Sequence, residues 1–239
     1  MTRVELHEAY EIVRGGADAP VILTCEHASE RLPAPWHWPE SDLRLVGTHW
    51  AFDIGAAELT RELAGTMHAV GILSRFSRLL VDPNRGEHEP SLFRDVAERE
   101  PVLLNASLDA AERERRLATL YRPFHAAIDR EVAITKASTL LSVHSFTHLY
   151  EGEQRTLEIG ILFDREDALG ERLVAAFDAA GFRVAPNEPY SGKAGLIHSA
   201  ATHAEARGLR PVEIEVRQDL ALSAPFRARV VGVLARALA

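Results

Sequence analysis

Short apolar runs recur along this chain, each closed by a polar or glycine-bearing turn and most followed by a longer stretch of helical periodicity. That alternation constrains the fold most, because it is the pattern of an α/β protein with strands inside and helices outside. VILTCEH (21–27) is predicted as a first core strand, and HWAFDIGAAELTRELAG (49–65) as a helix, since its apolar residues fall three and four apart before a stopping glycine. AVGILSRF (69–76) and SRLLVDPNR (77–85) both read as strands, the second ending in a Pro-Asn turn. Residues 86–108 carry mixed charge, two prolines and weak periodicity, which predicts an irregular surface excursion long enough to serve as a lid. Over 109–133, Leu117, Leu120, Phe124 and Ile128 form one helical stripe, with Pro123 expected to bend or split the helix. LLSVHSFTH (140–148), LEIGILFD (157–164) and PVEIEV (211–216) complete the predicted strands. A helix over 167–181, a loop over 185–195 and a terminal helix ending in VVGVLARALA lie between and after them. No internal repeat or linker interrupts the pattern, so one domain spanning 1–239 is expected.

Composition narrows the partners. A net charge of −8 gives no general attraction to nucleic-acid phosphates or an anionic membrane, so any basic site must be local. No apolar run approaches the roughly 20 residues that cross a bilayer. The single cysteine, Cys25, excludes an internal disulfide. The amino terminus MTRVELHEAY lacks a basic start with an apolar run, so a cytoplasmic protein acting on a small molecule is expected.

In open α/β sheets, ligands collect beyond the carboxyl ends of the strands. Chemically capable residues sit at four such predicted ends: Glu26 and His27; Asp82, Asn84 and Arg85; His144 and Ser145; Glu215 and Arg217. Two histidines from separate strands plus one carboxylate make a three-ligand zinc site with a position left for water. His27 and His144 are the first two candidates, and Glu26, Glu30 and Asp53 compete for the third place. Adjacent strand residues point to opposite faces, which weakens Glu26, and the His-x-x-Glu spacing of EHASE favours Glu30.

The segments CEHAS, HWAFDIGA, SRLLVDPNR, YRPFH, HSFTH, NEPYSG and EIEVRQDL, in that order between Val21 and Leu220, resemble the N-formylglutamate amidohydrolase family. The resemblance implies a three-layer α/β/α sandwich around a mixed central sheet, similar to zinc-dependent exopeptidases and aspartoacylase-like deacylases. It also implies zinc-dependent hydrolysis of an N-acyl amino acid, first of all N-formyl-L-glutamate to formate and glutamate. Matched residue by residue, it gives His27, Asp53 and His144 as metal ligands, so Asp53 replaces Glu30, and Glu215 as the proton acceptor. Glu213 shares the strand parity of Glu215, and pattern alone does not separate them. Arg217, on the same face, either polarises the acyl oxygen or pairs with a carboxylate. A glutamate-like product calls for bidentate donors, for which Arg85 is the expected anchor, supported by Arg78 and Asn84. A bland alternative for Arg78 is an ion pair with Asp82. Asn187 and Tyr190 lie in the NEPYSGKAG loop, whose composition suits a turn presenting donors to a ligand. His125 is expected to be packed or to support the site rather than to bind metal.

Other chemistries fit less well. No Gly-x-Ser-x-Gly elbow is present, and Cys25 sits inside an apolar strand. A deacylase or carboxypeptidase for another N-acyl amino acid or small peptide would keep the same metal and change the arginine contacts. A non-catalytic binding protein would need no proton acceptor beside two histidines.

Overall fold

Eight strands form one mixed sheet, in the order β1 (Val4–Leu6), β2 (Tyr10–Val13), β4 (Gly71–Ser74), β3 (Val21–Cys25), β7 (Thr139–Phe146), β12 (Arg210–Arg217), β10 (Ile159–Leu162) and β11 (Val184–Pro186). In this computed structural model, residues 3–16, 18–150 and 152–239 are described. Short two-residue strands make two further hairpins, β5 (Val96–Ala97) with β6 (Glu100–Pro101) and β8 (Leu149–Tyr150) with β9 (Glu153–Gln154). β4, β3, β7 and β12 run parallel at the centre, and antiparallel partners flank them. All five residues of β3 and all eight of β7 are buried, as central strands covered on both faces must be.

Strand alternation divides the core into two layers. Leu23, Leu141, Val143, Val212 and Ile214 face one side, packing with α1 (Ala56–Met67), α4 (Asp167–Ala179) and α7 (Ala224–Ala237). Ile22 and Leu140 face the other side, with Phe124 and Ile128 of α3 (Arg122–Ile134) and Ala200 and Ala204 of α5 (His198–Glu205). This is the expected three-layer α/β/α sandwich. Among the described residues, no helix is long and apolar enough to cross a membrane.

Three local expectations change. The helix predicted over 49–65 begins only at Ala56, because Gly55 takes φ +82°, a conformation that keeps 49–54 out of the helix. A Cβ at Gly55 would also meet the Ala221 backbone at 2.8 Å, in the short helix α6 (Gln218–Ala221). Gly65 does not stop that helix, which runs on to Met67. The segment 77–85 is not a strand. Leu79, Leu80 and Val81 are fully buried, but the chain there bonds to loops, with Ser77 N on Arg31 O at 2.9 Å and Arg78 N on Ala51 O at 3.2 Å. An apolar run reports burial, and here the burial is of irregular backbone.

The stripe over 109–133 is α2 (Ala110–Arg116), a wide π turn (Leu117–Tyr121) and α3 in direct succession. Pro123 has no N–H to give to the preceding turn, so the helix widens there instead of splitting. Residues 86–108 are irregular as expected, yet their base is fastened. Buried Asn105 donates to Leu79 O and Arg94 O at 2.9 and 2.7 Å, and Arg116 Nη1 holds Asn105 Oδ1 at 2.6 Å. The Asp42 carboxylate accepts from Leu103 N and Leu104 N at 3.1 and 2.7 Å. β1 and β2 at the sheet edge have no counterpart in the sequence reading, being short, with β1 largely exposed.

Candidate active site

The carboxyl ends of β3, β7 and β12 lie side by side, and register sets which residues meet there. Thr24 pairs with Ser142, and Glu215 pairs with His144. Glu26 continues the parity of Ile22 and Thr24, while Ser142, His144, Glu213 and Glu215 occupy the same sheet face on the neighbouring strands. Polar groups thus line one face of the strand ends, opposite the apolar residues that pack on α1 and α7.

His27, Asp53 and His144 are brought together and buried. Asp53 Oδ2 lies 2.8 Å from His144 Nδ1 and 3.4 Å from His27 Nδ1, and also accepts from Ser145 N at 3.2 Å. The two rings stand edge to face with centroids 4.8 Å apart. Asp53 reaches this point because its own backbone N–H bonds His27 O at 2.9 Å just ahead of the Gly55 turn. Each imidazole turns its other nitrogen to a second carboxylate: His27 Nε2 to Asp82 Oδ1 at 2.7 Å, and His144 Nε2 to Glu26 Oε2 at 3.1 Å. Glu26 is in turn held by Ser142 Oγ at 2.6 Å. Glu30 lies apart from the cluster, its Oε2 accepting from Gly47 N at 2.5 Å.

The donor set fits a divalent metal. His27 Nδ1 is a buried nitrogen without a hydrogen-bond partner among the described residues, and it faces Asp53 Oδ2 and His144 Nδ1. Two imidazoles and one carboxylate with carboxylates behind both rings are what hydrolytic zinc uses. Glu213 Oε2 and Glu215 Oε2 are also buried and have no hydrogen-bond partner among the described residues. Burial raises both pKa values, Glu213 to about 7 and Glu215 well above the ordinary carboxyl value. Burial opposes ionisation of Asp53 too, but the adjacent histidines override it and hold its pKa low.

A cavity of about 270 Å³ opens over this group, close to the lower end of the roughly 300–1,000 Å³ typical of small-molecule sites. Arg78, Asn84, Arg85 and Tyr190 line it as the sequence suggested, and Glu213 and Glu215 both face it. Arg78 is spent on two carboxylates, Asp53 Oδ1 at 3.3 Å and Asp82 Oδ2 at 3.1 Å, so the ion pair with Asp82 is present. Asn84 ties its loop down, donating to Leu196 O at 3.2 Å and accepting from Ser199 N at 3.0 Å. His49, Trp50 and Arg94 also line the cavity, and sequence reasoning missed them. Arg94 lies over the Trp50 ring at 5.3 Å. Desolvation, followed by the fields of Arg78 and Arg85, lowers its pKa, apart from an opposing pull by Asp82. Among the described residues neither Arg85 nor Arg94 has a carboxylate partner; Arg85 Nη1 bonds only Asn84 O, at 2.9 Å.

Two expected site residues are placed elsewhere. Arg217 does not line the cavity: it bonds Asp219 at 2.8 and 3.1 Å and the carbonyls of Arg155 and Thr156 at 3.0 and 3.2 Å. It is the last residue of β12, in register with Phe146, and these bonds turn its side chain away from the cavity to clamp the return of the β8–β9 hairpin. Asn187 also stays out of the cavity lining, its Oδ1 accepting from Phe163 N at 3.2 Å and Gly192 N at 2.9 Å. It shapes the loop that carries Tyr190. That loop crosses β10 closely, since a Cβ at Gly160 would meet Glu188 O at 2.0 Å.

Residues 19–222 match the N-formylglutamate amidohydrolase family. No curated protein matches the chain. Among solved structures, a gene product of Agrobacterium tumefaciens is 33% identical, with a TM-score of 0.87 over 97% of this chain and 94% of its own. An N-formylglutamate amidohydrolase from Ralstonia eutropha is 20% identical with a TM-score of 0.70, covering 97% of each chain, and speaks to the fold alone. So does the zinc-free form of a protein called YNDL, 12% identical with a TM-score of 0.51 over 98% of this chain and 91% of its own.

Proposed function

Because the chain belongs to the N-formylglutamate amidohydrolase family, we propose that it hydrolyses the amide of an acidic N-acyl amino acid, N-formyl-L-glutamate, releasing formate and glutamate. His27, Asp53 and His144 would hold the metal, zinc, which when bound polarises the acyl carbonyl and acidifies water. Glu215 Oε2 accepts the proton of the attacking water and passes it to the departing nitrogen. It has no competing partner among the described residues, and it faces the cavity from the strand position opposite His144. Glu213 lies deeper, 3.6 Å from His144 Nε2, and bears on that ring rather than on substrate. Asp82 and Glu26 fix both imidazoles through their outer nitrogens, and Arg78 offsets part of the negative charge gathered around them.

The observation that carries the substrate assignment is the pair of guanidinium groups, Arg85 and Arg94, which line the cavity without a carboxylate partner among the described residues. Two fixed cations beside a hydrolytic centre suit the two carboxylates of N-formyl-L-glutamate, and Arg supplies the bidentate fork each one takes. The test is kcat/KM for N-formyl-L-glutamate against N-formyl-L-glutamine, which differs by one charge. A preference of about 100-fold or more for the acid is expected from a desolvated charge-assisted pair. Equal rates would rule out the acidic pocket.

A further inference from the structure

The loop that carries Asp82 and Arg85 is held from behind by two helices. Tyr121 closes the π turn before α3 and donates its hydroxyl to the Arg85 carbonyl at 2.6 Å. Burial raises the pKa of that phenol, which keeps it a donor. Asn84 Oδ1, one residue earlier, accepts from Ser199 N in the first turn of α5.

The two helices are joined by a half-buried contact that the proposed reaction does not use. Tyr121, His125 and Asp129 follow at four-residue spacing along one stripe, and His203 of α5 inserts between the last two. His203 Nε2 meets His125 Nδ1 at 2.7 Å, and His203 Nδ1 meets Asp129 Oδ1 at 2.7 Å. The Tyr121 and His125 rings are 4.2 Å apart, and those of His125 and His203 are 5.0 Å apart. A chain of contacts therefore runs from exposed Asp129 through two imidazoles and a phenol to the backbone of Arg85. The π turn matters to this chain: the extra residue it accommodates sets the rotation at which Tyr121 leaves the helix.

We propose that Tyr121 is a positioning residue that fixes Arg85 for the substrate carboxylate, with the His125–His203–Asp129 contacts locking the helices on which that placement depends. The inference rests on the acidic-substrate reading above. It places substrate affinity partly under the control of a residue that touches neither substrate nor metal.

The experiment is a double-mutant cycle of Tyr121→Phe and Arg85→Ala, with kcat and KM measured on N-formyl-L-glutamate by the zinc-loaded protein. Thermal midpoints of all four proteins serve as the check on folding. Tyr121→Phe alone should raise KM about 3- to 10-fold with kcat within about 2-fold, the scale of one lost hydrogen bond. In the Arg85→Ala background it should change KM by less than about 2-fold, because there is no guanidinium left to place. An equal KM rise in both backgrounds would show that Tyr121 acts other than through Arg85 and would overturn the proposal. So would an unchanged KM in Tyr121→Phe while Arg85→Ala raises it, a result that leaves the acidic-substrate reading intact. An Arg85→Ala protein with unchanged KM would instead remove the anchor itself, and both readings with it.

Discussion

Replacing Asp82 with Asn removes one charge from behind His27 and keeps the volume. In the native site Asp82 Oδ1 lies 2.7 Å from His27 Nε2, and the carboxylate is buried at 6% exposure, where water screens it poorly. The amide can still accept from the Asn84 backbone N–H, as the carboxylate does at 2.9 Å, so the turn survives. What is lost is the charge that fixes the tautomer and raises the basicity of the other ring nitrogen. Removing a partner of this kind weakens metal affinity by about 10- to 100-fold, roughly 1.4 to 2.7 kcal/mol. Arg78 takes part of the Asp82 charge at 3.1 Å, which argues for the middle of that range. Glu26→Gln, acting on His144 across a longer 3.1 Å contact, should cost less. Zinc competition against a chromophoric chelator, starting from apoprotein, measures both. Wild-type affinity in Asp82→Asn, or a larger loss in Glu26→Gln, would refute the assignment of these carboxylates as supports of the two imidazoles.

Glu215→Gln should retain stoichiometric zinc and wild-type KM while kcat falls by roughly 100-fold or more, and near-normal turnover would transfer the proton to Glu213. Arg94→Ala should raise KM for N-formyl-L-glutamate about 10-fold with little change in kcat, which steady-state kinetics read directly. Burial, then the neighbouring His203, holds the His125 pKa down to about 3, against about 6.5 in an unfolded chain. The unfolded state therefore takes up the extra proton first, and stability is lost as pH falls from about 6.5 towards 3. By pH 5 His125 accounts for about 2 kcal/mol of that loss. The drop in urea midpoint between pH 7 and pH 5 should shrink by a matching amount in His125→Phe, and an identical drop in both proteins would contradict the buried neutral imidazole.

Much of this arrangement can be read from the residues before any coordinates are seen, and the reasons differ by element. β3, β7 and β12 are legible because they are short apolar runs with polar residues at their ends, and parity alone puts Glu213 and Glu215 on one face. The segment 77–85 misleads because buried irregular backbone has the same apolar signature as a strand. Spacing favoured Glu30 beside His27, but a tight turn sends Glu30 to Gly47 instead. Asp53 comes from a separate segment, and the Asp53 N to His27 O bond and the Gly55 turn, which spacing does not show, bring it in. Arg217 shares the parity of Glu215, yet parity says nothing about partners, and Asp219 with the carbonyls of Arg155 and Thr156 holds its guanidinium out of the cavity. Arg94 gave no signal, since an isolated arginine in a charged loop looks like solvated surface until the fold sets it over the Trp50 indole. Asp82 and Glu26 could have been found by asking which carboxylates would back the two histidines, a pairing that metal-bound imidazoles almost always need.

Formate release from N-formyl-L-glutamate, measured on one preparation as purified, after chelation, and after zinc is restored, decides whether the proposed hydrolysis depends on the metal held by His27, Asp53 and His144. Chelation should abolish turnover and stoichiometric zinc should return it, and His144→Ala should turn over in none of the three states. Turnover that survives complete removal of metal, or a His144→Ala protein that binds zinc and turns over normally, would contradict the proposal.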